Sequence, residues 1–227
     1  MVKFIESKLV EVQDEVVEMW TLVQNQMTKA QEAVMAMNVE TAQQIQVREK
    51  LVNSYDLKID SMIEDFIALY NPVAVDLRFL LAMLNVNNNL ERIGDYAESI
   101  ARFVVRNEGV AIDKELVEKL HLKDMFRHAI RMIETSKCAL VNRNLQLAKD
   151  VADEDNMLDE LNADSMRILA DYAGAHPESM KLCLELNGVF RKLERTGDHI
   201  NNVLEDIIFY INAQVVKHEG KHIEDEG

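Results

Sequence analysis

The amino-acid sequence predicts an all-α protein made of two tandem antiparallel three-helix bundles that are related by an internal repeat. Three observations lead to this fold class. The phrase LERIGDYA at Leu90–Ala97 returns as LERTGDHI at Leu193–Ile200, 103 residues later in a chain of 227. Glycine and proline are scarce, at 7 and 2 residues, which favours long helices with few interruptions. Apolar residues recur at helical spacing between the breaks.

Three helices are predicted in the first half. Apolar residues at helical spacing cover residues 4–37, and Asn38 is a suitable N-cap for a second helix. That helix should end at Asn71-Pro72, because the residue before a proline is pushed out of helical geometry. A third helix extends from about Val73 past Val105, and its predicted core stripe is Phe79, Met83, Val86, Leu90, Ile93, Ala97, Ile100 and Val104.

The second half repeats this plan. A break at Arg106–Gly109 separates the halves, Asp113 can cap the next helix, and Gly174–Pro177 interrupts the chain again. The predicted helices cover residues 114–141, about 145–172 and 178–216. The last one has a matching core stripe of Leu182, Leu186, Val189, Leu193, Thr196, Ile200, Val203 and Ile207. We expect one bundle at residues 1–109, a second at 110–217, and a polar tail without fixed structure at 218–227.

Charge and cysteine content narrow the function. Forty acidic and 25 basic residues give a formal charge of −15, which would repel a nucleic-acid backbone. The same charge would attract hard cations or a basic protein surface, or serve only solubility. Cys138 and Cys183 form no C-x-x-C motif, and no apolar run is long enough to span a membrane. A soluble intracellular protein with two reduced thiols is expected.

Each LER-x-GD phrase places two carboxylates on one helix face. Glu91 and Asp95 are about 40° apart on a helical wheel, opposite the apolar stripe, and Glu194 and Asp198 repeat the arrangement. A glycine lies between the members of each pair and costs about 1 kcal/mol of helix propensity relative to alanine. Either the missing side chain lets a helix, cation or ligand approach the backbone, or it serves close helix packing alone.

A second acidic pair precedes each of these in the chain. Asp56 and Asp60 lie in the second helix, and Asp155 and Asp159 lie in the fifth, again four residues apart. In antiparallel bundles, each half could bring two pairs together. Four carboxylates in one patch repel and need a cation, and their oxygen atoms suit magnesium, calcium, manganese or iron, with zinc also possible. The alternative is a solvated helix face.

Other candidate metal-binding or catalytic motifs in the sequence are weaker. Glu118 and His121 form an E-x-x-H of the kind that di-iron bundles use in pairs, but the only second instance, Glu219 and His222, lies in the polar tail. No phosphate-binding glycine loop, zinc-protease motif or nucleophile elbow is present in the sequence. His199 follows Asp198, but Tyr96 occupies its place in the first copy, so we interpret it as incidental to a metal site.

The segments NPVAVDLRFLLAMLNVNNNLERIGDYA at Asn71–Ala97 and FRKLERTGDHINNVLEDIIFYI at Phe190–Ile211 resemble the PhoU family, the accessory regulators of bacterial phosphate transport. The resemblance implies two three-helix bundles, each with a pair of metal-binding E/D-x-x-x-D motifs. The implied metal ligands are Asp56, Asp60, Glu91, Asp95, Asp155, Asp159, Glu194 and Asp198. The metal would be iron, zinc, manganese or magnesium.

The resemblance also implies a function. Family members negatively regulate phosphate uptake and the phosphate-starvation response from the cytoplasm, by bridging the ATPase subunit of the phosphate ABC transporter and a membrane sensor histidine kinase. It further implies a homodimer that reaches the membrane only through these partners. The absence of a catalytic nucleophile favours an adaptor over an enzyme. A carboxylate-bridged metalloenzyme, such as a phosphatase or oxidase, remains the alternative, and a purely structural helical protein is a third.

Overall fold

The computed structural model describes residues 2–152 and 155–224, and describes side chains for residues 4–151 and 155–212. These residues form eight α-helices and a short 3-10 helix, and none of them lies in a β-strand. The helices are α1 (Val2–Ala36), α2 (Val39–Tyr70), α3 (Val75–Arg106), α4 (Lys114–Lys119), α5 (Leu122–Val141), α6 (Leu145–Ala152), α7 (Asp155–Ala175) and α8 (Met180–Glu224). The predicted all-α class is confirmed.

The predicted helix caps are confirmed. Asn38 caps α2, because its side chain accepts a hydrogen bond of 3.0 Å from the backbone N–H of Thr41. Asp113 caps α4 in the same way, with the backbone N–H of Glu115 as donor at 2.8 Å. Asn71 ends α2 in the left-handed region, at φ 46°. These residues place the turn before α2, the end of α2 and the start of the second half where the sequence predicts them.

One predicted helix is broken in two. Residues 114–141 form α4 and α5, with His121 between them in the left-handed region at φ 51°. Leu120 and Leu122 are both 1% exposed. Residues two apart point about 200° away from each other on one helix, so a straight helix could not bury both. The turn at His121 allows both leucines to enter the core.

The last two predicted helices also differ in their bounds. The predicted fifth helix corresponds to α6 and α7, which lie on either side of residues 153–154, outside the described residues. Residues Pro177–Ser179 form the 3-10 helix, so α8 begins at Met180. Its backbone continues to Glu224, well past the predicted end near Val216. The predicted polar tail at residues 218–227 therefore begins within the span of this helix, and the sequence has no proline there that would interrupt it.

The helices pack as two bundles side by side. In the first half α1, α2 and α3 contact one another, and in the second half α5, α7 and α8 do so, with α6 against α5 and α8. The halves meet through α3 with α8 and α1 with α5. Trp20 is fully buried at the second of these contacts and donates to the carbonyl oxygen of Ile133 at 2.9 Å. The predicted tandem bundles are therefore confirmed.

The core stripes predicted for α3 and α8 are buried, apart from Leu182, which is partly buried against the core. In α2 the last buried residue is Phe66, and Leu69 in the following turn is 71% exposed. Cys138 and Cys183 are both free thiols, as expected. Among the described residues, none of the helices is long and apolar enough to cross a membrane.

Candidate functional site

Gly94 and Gly197, the glycines of the two repeated phrases, are buried where a neighbouring helix crosses closely. A β-carbon on Gly94 would lie 3.2 Å from Cγ1 of Val52 and 3.4 Å from Oε2 of Glu49, both on α2. A β-carbon on Gly197 would overlap the Oδ1 atom of Asp155 and lie 2.7 Å from Cδ1 of Leu158, both on α7. The space left by each missing side chain is therefore occupied by an aliphatic group and a carboxylate from the next helix.

These contacts define how the two halves correspond. Glu49 and Val52 are three residues apart, as are Asp155 and Leu158, and each pair faces the equivalent glycine. The structural counterpart of Asp155 in the first half is thus Glu49, 106 residues earlier, whereas Asp56 corresponds to Asn162. Sequence reasoning missed Glu49. The spacing of an acid and an apolar residue in EKLV and DNML could have revealed it.

Glu49 is the most deeply placed carboxylate of the first half, at 6% exposed. Gln26 of α1 donates from Nε2 to its Oε2 at 3.1 Å. Burial raises the pKa of Glu49 to about 7; the bond from Gln26 opposes this shift, and the nearby carboxylates of Asp95 and Glu91 reinforce it. Burial at this position therefore favours the protonated form of Glu49.

The predicted pair on α2 is bridged by an amide. Asn87 of α3 is fully buried, and its Nδ2 lies 2.8 Å from Oδ1 of Asp56 and 2.9 Å from Oδ1 of Asp60. Burial, followed by the adjacent charge of Asp60, raises the pKa of Asp56. The structure brings Asp56 and Asp60 together, but the group that joins them is a neutral side chain.

The predicted pair on α3 has a cation beside it. Nε of Arg92 lies 3.6 Å from Oε2 of Glu91, and its Nη1 lies 3.6 Å from Oδ2 of Asp95. Burial is the largest cause raising the pKa of Glu91, followed by the charge of Asp95, while Arg92 lowers it. Because the Arg92 side chain is 60% exposed, it offsets only part of the repulsion.

All four predicted carboxylates of the second half influence one another. Burial raises the pKa of Asp155 to about 6, with further contributions from Asp159, Asp198 and Glu194, and Asn201 opposes the shift through a 2.6 Å bond to Oδ2. Asp159 and Asp198 are exposed. The second half therefore forms one patch around Gly197, with Asp155 innermost.

The carboxylates thus form two patches, one in each half. The first consists of Glu49, Asp56, Asp60, Glu91 and Asp95, and the second of Asp155, Asp159, Glu194 and Asp198. Both are rich in oxygen ligands, but neither is arranged as a complete metal centre. Over the side chains described, no three His, Cys, Asp or Glu residues stand close enough together to hold one ion. The E-x-x-H of Glu118 and His121 is split by the turn that separates α4 from α5, and His121 lies 3.3 Å from the carboxylate of Asp124. Glu219 and His222 lie outside the described side chains.

The fold and the two carboxylate patches define a class of duplicated helical-bundle proteins. Comparison with known protein families shows which family this class corresponds to. The PhoU domain matches residues 16–104 and again residues 122–207. The chain belongs to the PhoU family.

Curated relatives are similar to this chain over nearly their whole length. The phosphate-specific transport system accessory protein PhoU homolog of Aquifex aeolicus is 31% identical over 97% of both chains. Homolog 1 of Thermotoga maritima is 28% identical over 93% of this chain and 90% of its own length.

Solved structures agree in fold. The crystal structure of PhoU from Pseudomonas aeruginosa matches with a TM-score of 0.85 at 26% identity, over 91% of this chain and 98% of that one. The phosphate transport system regulatory protein PhoU from Streptococcus pneumoniae matches with a TM-score of 0.79 at 22% identity, over 91% and 96% of the respective chains, which shows the fold alone.

Proposed function

We propose that this protein is a cytoplasmic accessory protein of phosphate transport that restrains phosphate uptake and the phosphate-starvation response. The observation that carries this proposal is the PhoU-domain match to both repeats, together with near full-length similarity to proteins named phosphate-specific transport system accessory proteins. It acts by bridging the ATPase subunit of the phosphate ABC transporter and the membrane sensor histidine kinase. It reaches the membrane only through these partners and works as a homodimer without catalytic turnover.

We further propose that the two carboxylate patches bind metal ions. Glu91, Asp95, Asp56 and Asp60, with the deeper Glu49, would supply the first site. Asp155, Asp159, Glu194 and Asp198 would supply the second. One oxygen of Glu49 and one of Asp155 are buried with no hydrogen-bond partner in the described part of the chain, which supports this assignment. An acceptor buried in this way needs either a donor or a cation.

The ligand chemistry favours hard cations. Every candidate ligand is an oxygen atom, which suits magnesium, manganese and iron better than it suits zinc. A bound cation would neutralise repulsion between carboxylates on adjacent helices and so join the helices of each patch. Since no three acidic groups converge on one point in the part of the chain whose side chains are described, the partly exposed Asp95 and the exposed Asp198 would turn inward on binding.

A reporter of phosphate-starvation gene expression tests the regulatory proposal. In cells lacking this protein, the reporter should be active even in high phosphate, and the wild-type chain should restore repression. A tagged chain should also co-purify with the transporter's ATPase subunit. Unchanged reporter activity in the deletion strain would contradict the proposal.

Elemental analysis of protein purified without chelator tests the metal proposal. Stoichiometric iron, manganese, magnesium or zinc that falls in the Glu91→Ala/Asp95→Ala variant is the expected result. The matched control is Glu64→Ala/Glu160→Ala, which removes two exposed acidic residues outside both patches. Wild-type protein that folds normally and contains no metal would contradict it.

A further inference from the structure

Two amide side chains hold the innermost carboxylates. Gln26 donates from Nε2 to Oε2 of Glu49 at 3.1 Å, and Asn201 donates from Nδ2 to Oδ2 of Asp155 at 2.6 Å. Gln26 is 1% exposed, and Asn201 is partly buried. Each patch therefore has the same pair at its base, an amide that donates and a carboxylate that accepts.

Each pair leaves two oxygen atoms without partners. Among the residues that the structure describes, Oε1 of Gln26 and Oε1 of Glu49 are buried and accept no hydrogen bond, and the same is true of Oδ1 of Asp155 and Oδ1 of Asn201. While the carboxylates are ionised, two acceptors cannot satisfy each other, so each pair then needs a cation or a donor such as water. Protonation of the carboxyl group, which burial favours, is the other way to supply a donor. Oε1 of Gln26 lies 3.4 Å from the place where a β-carbon of Gly94 would be, so it points into the space beside that glycine.

Gln26 and Asn201 do not occupy corresponding positions in the two repeats. The buried positions of α1 and α5 coincide at an offset of 106 residues, and at that offset Gln26 corresponds to the buried Met132. In α8, Asn201 corresponds to Glu98 of α3, which pairs with Arg102. The same contact with a carboxylate has thus been reached from two different helices, which indicates a role beyond the packing that the repeat imposes.

We infer that Gln26 and Asn201 are positioning residues for the two cation sites, each orienting its carboxylate through its NH₂ group and directing its own carbonyl oxygen toward the cation. This inference rests on the proposed metal binding. Because Gln26 belongs to α1, the first site joins α1, α2 and α3, whereas the second site involves only α7 and α8. Filling the first site therefore stabilises the docking of α1.

Manganese binding to the full chain tests this inference. Metal-free protein is titrated with Mn²⁺, free Mn²⁺ is followed by electron paramagnetic resonance, and amide hydrogen exchange is measured in α1. We expect Gln26→Met, which installs the residue of the second half, to weaken one site about 10- to 100-fold. The Mn²⁺-dependent protection of α1 should be lost with it.

Two further variants make the test specific. Asn201→Leu should weaken the other site while α1 keeps its Mn²⁺-dependent protection. Gln24→Met changes a neighbouring glutamine on α1 that accepts a 2.7 Å bond from Lys137 outside the patch, and it should bind Mn²⁺ as the wild type does. If Gln26→Met fails to fold, Asn201→Leu decides the question.

The outcomes separate this inference from the metal proposal. If the wild type binds Mn²⁺ and both Gln26→Met and Asn201→Leu bind it equally well, the inference is wrong while metal binding stands. If the wild type binds no Mn²⁺ and contains no metal on elemental analysis, both are wrong. Loss of one site in each variant, with α1 protection lost only in Gln26→Met, supports the inference.

Discussion

The hydroxyl group of Tyr96 lies 3.1 Å from Nε2 of His199, and the two ring centroids are 5.5 Å apart. The two residues occupy the same position in the two repeats, so the duplicated helices α3 and α8 meet at one of their own equivalent positions. Nδ1 of His199 lies 2.8 Å from Oδ1 of Asn89, which can only accept, so Nδ1 donates and Nε2 accepts from Tyr96. A histidine that sequence reasoning treated as incidental links the two halves.

Replacing Tyr96 by Phe should therefore destabilise the contact between the halves. The change removes the donor for Nε2 of a half-buried imidazole, at an expected cost of about 1 kcal/mol. Urea unfolding at pH 7 measures the effect. His199→Phe combined with Tyr96→Phe should cost less than the sum of the single changes, because one hydrogen bond cannot be lost twice. Additive costs would show that the two side chains are not coupled.

Alanine substitutions at three glycines should give effects of different sign and size. Gly197→Ala should cost about 1–3 kcal/mol, because the new β-carbon overlaps Asp155 and crowds Leu158. Gly94→Ala should cost less, since its nearest neighbour, Cγ1 of Val52, is at 3.2 Å. Gly174→Ala is the matched control in helix α7, where the added carbon meets nothing within 4 Å.

The control variant should be more stable than wild type by about 0.5–1 kcal/mol, through helix propensity alone. Free energies of unfolding from urea titrations of the three variants provide the comparison. A Gly197→Ala protein as stable as Gly174→Ala would contradict the close approach of α7 to α8.

Charging the amide that bridges Asp56 and Asp60 should be severely destabilising. Asn87→Asp puts a third carboxylate at a fully buried position beside two others, with an expected cost of about 3 kcal/mol or more. Adding Asp56→Asn should recover part of that loss, because an amide can then donate to the new carboxylate. Thermal unfolding of the two variants measures both effects. An Asn87→Asp protein as stable as the wild type would show that the bonds from Asn87 to Asp56 and Asp60 contribute nothing to stability.

Asp206 should make stability depend on pH. Burial is the largest cause raising its pKa in the folded protein, and its bond of 3.0 Å from Asn85 lowers it. An acid whose folded pKa is raised contributes stability that is fully present below its unfolded pKa, about 3.9, and that is lost as the pH rises through the folded pKa. Asp206→Asn should therefore gain stability relative to wild type between pH 4 and pH 7.

Urea unfolding of both proteins across that range checks the sign. The charge of Glu205, an exposed neighbour on the same helix, also raises the pKa of Asp206, so Glu205→Gln should reduce the pH dependence in the same direction as Asp206→Asn but by less. A constant difference between Asp206→Asn and wild type at every pH would contradict the assignment of this pH dependence to Asp206.

Most of the helical architecture could be predicted from local features. The stripes of α3 and α8 follow from the 3.6-residue period, and Asn38 and Asp113 are caps because their side chains accept from nearby backbone N–H groups. The turn at His121 was missed. Local preference favours a helix there, and only the burial of Leu120 and Leu122 in a shared core explains the break.

Most of the helices, their buried faces and the repeated glycine between two carboxylates could be predicted from the amino-acid sequence, since each depends on residues within a few turns of one another. Which side chain meets each glycine depends on how the helices pack, and so it became known from the folded structure. The offset between repeats is 106 residues for Glu49 and Asp155 but 103 for Gly94 and Gly197. The two offsets differ because the loops that connect the helices differ in length between the halves, while the helices pack in the same way. Aligning the repeated motif of one helix therefore does not show which residues of the neighbouring helix correspond.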